Sequence, residues 1–348
     1  MSTTPQSGPS SDDVRIVADP GPPSATVASI RDRLARELQD ALGVVSVTVD
    51  SEPLTLDPEG GLMVPELIER THRDSSAAVV VTEFPRLRGR RELMVEIDHD
   101  AATALVSLPA LGIAPRRRLV AVIVDAIRRL RDEEATPRVR GARWYPGDTD
   151  HAEYLATRST LGRSRIVLGM VRGNRPWRLI PTLTGVMAAA AATASFGVFY
   201  SSIWAMANAL SPWRLAGLSV LSIAVMTVWL IVNNRLWERR GELPRYRARL
   251  YNAATTMTIV LNAAVLYAGL LVVTLCAAMA VIDEGYLASQ IGGDAGLRGY
   301  LCLAWLATSM GTVAGAVGSS ADSYDDILEA TYGYRERARR HREQSAGE

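Results

Sequence analysis

Residues 257–282, MTIVLNAAVLYAGLLVVTLCAAMAVI, decide the fold class of this chain, because they contain no charged side chain. The run exceeds the ~20 apolar residues that a helix needs to cross a hydrocarbon core. Three further apolar runs, also without Asp, Glu, Arg, Lys or His, occupy residues 179–207, 215–230 and 300–317. The sequence therefore predicts an all-α four-helix transmembrane domain over residues 178–319.

The arginines between these runs predict an orientation. Residues 233–251 carry six of them: Arg235, Arg239, Arg240, Arg245, Arg247 and Arg249. The other two connections hold one arginine each, Arg214 and Arg298. Because arginine accumulates in cytoplasmic loops, we expect a multi-pass plasma-membrane protein with both termini in the cytoplasm.

The composition and the missing motifs exclude several classes of reaction mechanism. All 38 Lys and Arg residues are arginines, so mechanisms that need a lysine base, a lysine Schiff base or a P-loop lysine are excluded. The sequence contains no His-Glu-x-x-His, no dinucleotide fingerprint and no Gly-x-Ser-x-Gly. We therefore predict no catalytic residue, no metal ligand and no cofactor, and the sequence argues against an enzyme.

The first third of the chain predicts a cytoplasmic α/β domain over residues 24–135. Apolar periodicity and turn residues indicate elements in the order α-β-α-β-β-β-α, namely 24–42, 44–50, 62–71, 77–82, 93–98, 103–108 and 115–134. Residues 1–23 are rich in Ser, Pro and Thr and are expected to be a disordered tail. Residues 136–177 are expected to be a linker, with 151–157 helical, and 320–348 an arginine-rich cytoplasmic tail.

Basic residues near the membrane are expected to face anionic lipid. Apolar residues alternate with arginines over residues 161–178, as in a helix that lies in the interface. The alternative is a linker that only follows the positive-inside rule. The residues predicted to face lipid are Arg163, Arg165, Arg172, Arg175, Arg178, Arg239 and Arg240.

Small residues predict how the membrane helices pack. Gly311, Gly315 and Gly318 would let two helix backbones approach closely, within one chain or between chains. Asn262 is expected to form a hydrogen bond with a neighbouring helix, and the alternative is contact with a solute. Cys276 and Cys302 either form a disulfide or are small packing residues.

Two polar clusters of the soluble part leave alternatives open. Arg86, Arg88, Arg90 and Arg91 belong either to a site for an anionic ligand or to a solvated loop. Glu96 and the stretch 98–100 (Asp-His-Asp) belong either to an oxygen-rich metal site or to a solvated hairpin turn.

Two family resemblances extend this interpretation. The stretches GMVRGNRPWRLIPTL (169–183), LYNAATTMTIVLN (250–262), AWLATSMGTVAGAVGS (304–319) and YGYRER (332–337) resemble an uncharacterised family of actinobacterial four-helix integral membrane proteins. Some of its members carry a methylenetetrahydrofolate dehydrogenase label, which the missing lysine and dinucleotide fingerprint do not support here. VVVTEFP (79–85) and ALVSLPALG (104–112) before a long helix resemble the zincin, and particularly archaemetzincin, layout. The zinc motif of that layout is missing.

These observations favour a non-enzymatic membrane protein whose soluble domain binds a partner or ligand. The alternatives are a component of a transporter or channel, and a membrane-tethered enzyme of unrecognised type. Expected partners are anionic membrane lipids and an unidentified protein, with homo-oligomerisation left open and nucleic acid not expected.

Overall fold

The structure is a computed structural model that describes residues 13–44, 46–52, 77–88, 91–131, 136–157, 160–176, 183–238 and 245–318. Within these residues the chain forms two compact units, and the boundary between them in the sequence lies between Gly173 and Asn174. The first unit is a mixed α/β sheet domain, and the second contains only helices. This division confirms the predicted fold class.

The first unit contains eight described strands and four described helices. The strands are β1 (Asp13–Ala18), β2 (Ser46–Ser51), β3 (Ala77–Thr82), β4 (Arg86–Arg88), β5 (Arg91–Asp98), β6 (Thr103–Ser107), β7 (Ala142–Pro146) and β8 (Ala152–Thr157). The helices are α1 (Pro22–Ala28), α2 (Arg31–Leu42), α3 (Pro115–Leu130) and α4 (Thr160–Gly173), with a 3-10 turn at Pro109–Leu111.

All eight strands form one sheet, in the order β2-β1-β3-β6-β5-β8-β7, with β4 paired to β5. The four strands β2, β1, β3 and β6 are parallel, whereas β5, β8, β7 and β4 add antiparallel pairs. Every residue of β3 is buried, as expected for a β-branched run in the parallel part of a sheet.

Helix α3 supplies much of the apolar contact with this sheet. Pro115 occupies its first turn, where the missing N–H costs nothing. Leu119, Val122, Ile123 and Ile127 follow at helical spacing and are completely buried, and α3 contacts β3, β5 and β6. The predicted core face of this helix is therefore the observed one.

Several predicted boundaries in the first unit are wrong. The expected disordered tail contains β1, which pairs with β2 on one side and with β3 on the other. Pairing with these distant strands orders a segment that the Ser- and Pro-rich composition had assigned to a disordered tail. The helix expected over 24–42 is interrupted at Ser29 and Ile30. Residues 1–12 and the expected helix at 62–71 lie outside the described residues.

The expected linker also contains regular structure. Residues 151–157, expected to be helical, lie almost entirely within β8, which pairs with β5 and β7. The helix predicted to end at residue 134 ends at Leu130. Strand β8 is stabilised by its sheet partners, one of which, β5, is distant in sequence and cannot be read from the local residues.

The second unit contains six described helices: α5 (Thr184–Phe199), α6 (Ser201–Ala209), α7 (Pro212–Asn233), α8 (Arg245–Val281), α9 (Glu284–Ile291) and α10 (Gly296–Gly318). Among the described residues, α7, α8 and α10 are long and apolar enough to cross a membrane. Helices α5 and α6 pass the same test together, although they are bent by 87° at Tyr200. The unit therefore has three to four candidate spans.

A hydrogen bond crosses the bend at Tyr200. The indole Nε1 of Trp204 donates a hydrogen bond of 3.0 Å to the carbonyl of Gly197, in the last turn of α5. The end of a helix leaves such carbonyls without an intrahelical donor, so the indole stabilises the helix end without a proline. The first predicted span, 179–207, is consequently two helices instead of one.

Helix α5 runs antiparallel to α10 along most of its length. A side chain at Gly318 would meet Ala189 and Gly185, and one at Gly311 would meet the Ala190 carbonyl at 2.6 Å. At the other end, Val198 belongs to the same apolar cluster as Leu303. The two helices are thus in contact near both ends of α5.

Candidate functional site

The carboxyl ends of β1 and β3 are the first place to look for a site in such a sheet. In the sheet order, β2 lies on the outer side of β1 and β6 lies on the outer side of β3, so the chain continues in opposite directions from these two strands. In open α/β sheets, ligands bind in the crevice at this change of direction. Asp19 follows β1 there, and Glu83 follows β3.

The polar groups at this switch point bond to one another. The Asp19 carboxylate accepts from the Thr82 hydroxyl at 2.8 Å and from the Glu83 N–H at 3.2 Å. Pro22 and Pro23 remove two N–H donors from the start of α1, and the Gly21 N–H donates to Ser24 Oγ at 3.1 Å. These contacts join β1 to β3 and provide no backbone cradle for a phosphate.

A second candidate lies on the antiparallel half of the sheet. Glu153 and Thr157 of β8 bond to arginines of α3 and α4, so the alternating Tyr154 points to the opposite face. There Tyr145 of β7 stacks on Tyr154, with ring centroids 5.4 Å apart and planes inclined by 19°. We name the group Arg86, Arg88, Arg91, Arg143, Tyr145 and Tyr154 the arginine–tyrosine surface.

Guanidinium groups cover the two rings. Arg88 Cζ lies 4.9 Å from the centroid of Tyr154, and Arg91 Cζ lies 4.6 Å from that of Tyr145. Arg91 also donates to the Tyr154 hydroxyl at 3.3 Å. Such contacts are attractive because the ring face is negative, and they hold both guanidinium groups in defined positions.

The surface remains positive after its internal pairing. Arg86 pairs with Glu96 at 2.6 Å, and Arg88 pairs with Asp148, whose side chain is 91% exposed. Arg91 and Arg143 are exposed, so the four named arginines outnumber the two carboxylates, Glu96 and Asp148, that pair with them. Of the predicted cluster, the structure brings Arg86, Arg88 and Arg91 together on strands, while Arg90 lies outside the described residues.

Helix α4 packs on its own unit through the residues predicted to lie at the membrane. Ile166 and Met170 are completely buried. Arg165 donates to Thr157 Oγ1 at 2.8 Å, and Arg163 lies 3.9 Å from a Glu92 oxygen. Burial, together with nearby Arg118, lowers the pKa of Arg165. The apolar face of this helix is thus covered by the sheet domain, and Arg163 and Arg165 contact protein groups.

The remaining residues predicted to face lipid divide into two groups. Arg172 is half-buried near the end of α4, and Arg175 is half-buried at the start of the second unit. Arg178, Arg239 and Arg240 lie outside the described residues. The lipid contact of these five stays a prediction.

The acidic stretch at residues 98–100 forms a hairpin turn that is stabilised by its own groups. The Asp98 carboxylate accepts from the Ala101 N–H at 3.1 Å, which closes the connection between β5 and β6. Arg129 donates two hydrogen bonds to Glu153, of 2.5 and 2.7 Å, and thereby lowers the pKa of that carboxyl. Among the described residues no group of three His, Cys, Asp or Glu side chains could hold a metal ion.

Asn262 differs from its prediction. Its side chain is buried between the helices of the second unit, yet neither its Nδ2 nor its Oδ1 has a hydrogen-bond partner among the described residues. The predicted hydrogen bond is therefore not made to any described part of a neighbouring helix. Tyr267 forms the interhelical network instead, with its hydroxyl 2.8 Å from Ser219 Oγ and 2.9 Å from Ser309 Oγ.

The packing glycines lie against α5 of the same chain. A Cβ on Gly315 would approach the Val186 carbonyl at 2.9 Å and Ala190 Cβ at 3.0 Å. Cys276 and Cys302 are both free thiols in the structure.

The sequence did not indicate a role for Tyr145, Tyr154 and Arg143, because their strands, β7 and β8, lie in a stretch that was expected to be a linker. Alternation in ARWYP (142–146) and AEYLAT (152–157) is the signal that would have found them.

Comparisons with profiles of known protein families, with curated proteins and with solved structures gave no match. The resemblances to an actinobacterial membrane family and to zincins therefore stay predictions.

Proposed function

We propose that the chain is a multi-pass plasma-membrane protein whose α/β unit lies in the cytoplasm and binds an acidic segment of a protein partner. The membrane part rests on the three to four candidate spans and on the six arginines of residues 233–251. The binding part rests on one observation, the arginine–tyrosine surface.

Two properties of this surface support recognition of carboxylates. Stacking on Tyr145 and Tyr154 orders the arginines before binding, which lowers the entropy lost when a partner docks. Arginine and tyrosine also carry much of the binding energy in known interfaces. The exposed Asp148 beside Arg88 occupies the position that a partner carboxylate would take.

Site-specific photo-crosslinking in cells tests this proposal. A photoreactive residue replaces Arg143, and the control replaces Arg116, which is exposed on α3 on the other face of the sheet. We expect one discrete adduct at position 143 with a protein that presents an acidic segment, and none at 116.

The charge dependence of the adduct completes the test. Arg91→Glu should reduce the adduct at position 143 about ten-fold, which corresponds to a loss of ~1.4 kcal/mol. Equal adducts at positions 143 and 116, or an adduct that Arg91→Glu leaves unchanged, would contradict the proposed binding surface.

A further inference from the structure

Two adjoining cavities form a groove where α7 and α8 are connected. One has a volume of about 440 Å³ and the other about 540 Å³, and both are lined by Trp237, Arg249 and Asn252. The first also contacts Glu238 and Arg245, and the second extends to Thr256 and Val260. We name the whole the α7–α8 groove.

A row of residues along one face of α8, which we call the stripe, lines this groove. The other lining residues lie three, four, seven, eight and eleven positions after Arg249: Asn252, Ala253, Thr256, Met257 and Val260. This spacing places them on a single face of the helix. The stripe begins with arginine and ends with apolar side chains, so the groove is amphipathic along its length.

The polar end of the groove is held in shape by a reciprocal contact. The Glu238 N–H donates to Asn252 Oδ1 at 2.8 Å, and Asn252 Nδ2 donates to the Glu238 carbonyl at 3.2 Å. Arg245 and Arg249 add two positive charges to the lining, whose described residues include one carboxylate, that of Glu238. Trp237, which is 56% exposed, forms part of the lining, as tryptophan often does at a membrane interface.

The lining stripe from Arg249 to Val260 is about as long as half of a hydrocarbon core. Val260 lies eleven positions after Arg249, which corresponds to about 16 Å along a helix. Half of a hydrocarbon core of ~30 Å is ~15 Å. Met257 and Val260 are 45% and 40% exposed, so the apolar end opens toward the surroundings of the helix.

We infer that the α7–α8 groove binds one anionic phospholipid from the leaflet on the arginine-rich side of the membrane. Its phosphate would lie between Arg245 and Arg249, and an acyl chain would follow the stripe toward Val260. A soluble phosphate would leave the apolar end empty, and a zwitterionic head group would gain less from the two arginines. This inference does not depend on the proposed protein partner.

Lipid retention by the full-length protein tests the inference. The protein is reconstituted in nanodiscs containing equal parts phosphatidylglycerol and phosphatidylcholine, extracted with detergent, washed and analysed by mass spectrometry. We expect about one retained phosphatidylglycerol per chain and little phosphatidylcholine. Arg249→Gln should reduce this retention about ten-fold, because it removes a charge-assisted hydrogen bond to the phosphate.

Matched variants separate charge from folding. Arg298→Gln removes an arginine near the start of α10, and it should leave retention unchanged. Arg249→Lys keeps the charge and should restore most of the retention. Equal retention of both lipids, no effect of Arg249→Gln, or displacement by soluble glycerol phosphate as efficiently as by phosphatidylglycerol would each overturn the inference.

Discussion

Buried polar side chains of this protein differ in how fully they are hydrogen-bonded. In the first unit the carboxylates of Asp19 and Glu153 are buried or half-buried and accept hydrogen bonds from neighbouring groups. In the second unit Tyr267 is bonded on two sides, whereas Asn262 is buried without a hydrogen-bond partner among the described residues. The sequence identified Asn262 as an intramembrane polar residue, but whether a buried amide meets a donor depends on the rotation of its helix, which hydropathy does not report.

Asp125 should make the first unit less stable as the pH rises. Burial raises its pKa from 3.8 to about 6, although the Arg138 N–H donates to it at 2.7 Å. The folded state therefore binds the proton more tightly than the unfolded state, and stability falls as the pH rises from about 4 to 6. The expected difference is about 2–3 kcal/mol. Asp125→Asn should abolish this component, measured by hydrogen exchange of α3 in the full-length protein. An unchanged pH dependence in the variant would contradict this assignment.

Asn262→Leu should leave the second unit equally stable or make it more stable. An unpaired buried amide costs about 1–3 kcal/mol, and an apolar side chain of similar size removes that cost. Thermal unfolding in detergent measures the effect, and Tyr267→Phe, which removes two hydrogen bonds, serves as the destabilised reference. A fall in melting temperature on Asn262→Leu would mean that the amide has a bound partner.

At the scale of elements, local composition predicts some features well and others not at all. The long apolar helices α7, α8 and α10 follow from hydropathy, because crossing a membrane is a property of each segment alone. Strands β1 and β8 do not, because each is stabilised by partners distant in sequence. Strand β7 pairs with β8, and this pairing, which brings Tyr145 onto Tyr154, was missed because residues 136–177 were expected to be a linker.

Helix packing gives a prediction at this scale. Gly315→Ile should destabilise the bundle by roughly 1–3 kcal/mol or more, because the new side chain meets Val186 and Ala190 of α5. Gly269→Ile in α8 is the matched control, since a Cβ there has nothing within 4 Å. Unfolding in detergent should distinguish the two variants, and equal stability would exclude the close contact of α5 with α10.

At the scale of the whole molecule, the account joins a mixed α/β unit to a helical unit in one chain. The described parts of the spans hold polar groups such as Ser219, Tyr267 and Ser309, but their central apolar runs contain no charged side chain. The central claim is that the α/β unit and the arginine-rich α7–α8 connection share the cytoplasmic side.

Cysteine labelling on intact cells tests that claim most directly. In a background without Cys276 and Cys302, single cysteines replace Ser289 in α9, Arg245 at the start of α8 and Asp148 in the α/β unit, all exposed. An impermeant thiol reagent should label Ser289→Cys on intact cells, and Arg245→Cys and Asp148→Cys only after permeabilisation. Labelling of Asp148→Cys or Arg245→Cys on intact cells, with Ser289→Cys protected, would invert the topology and place the α/β unit outside the cytoplasm.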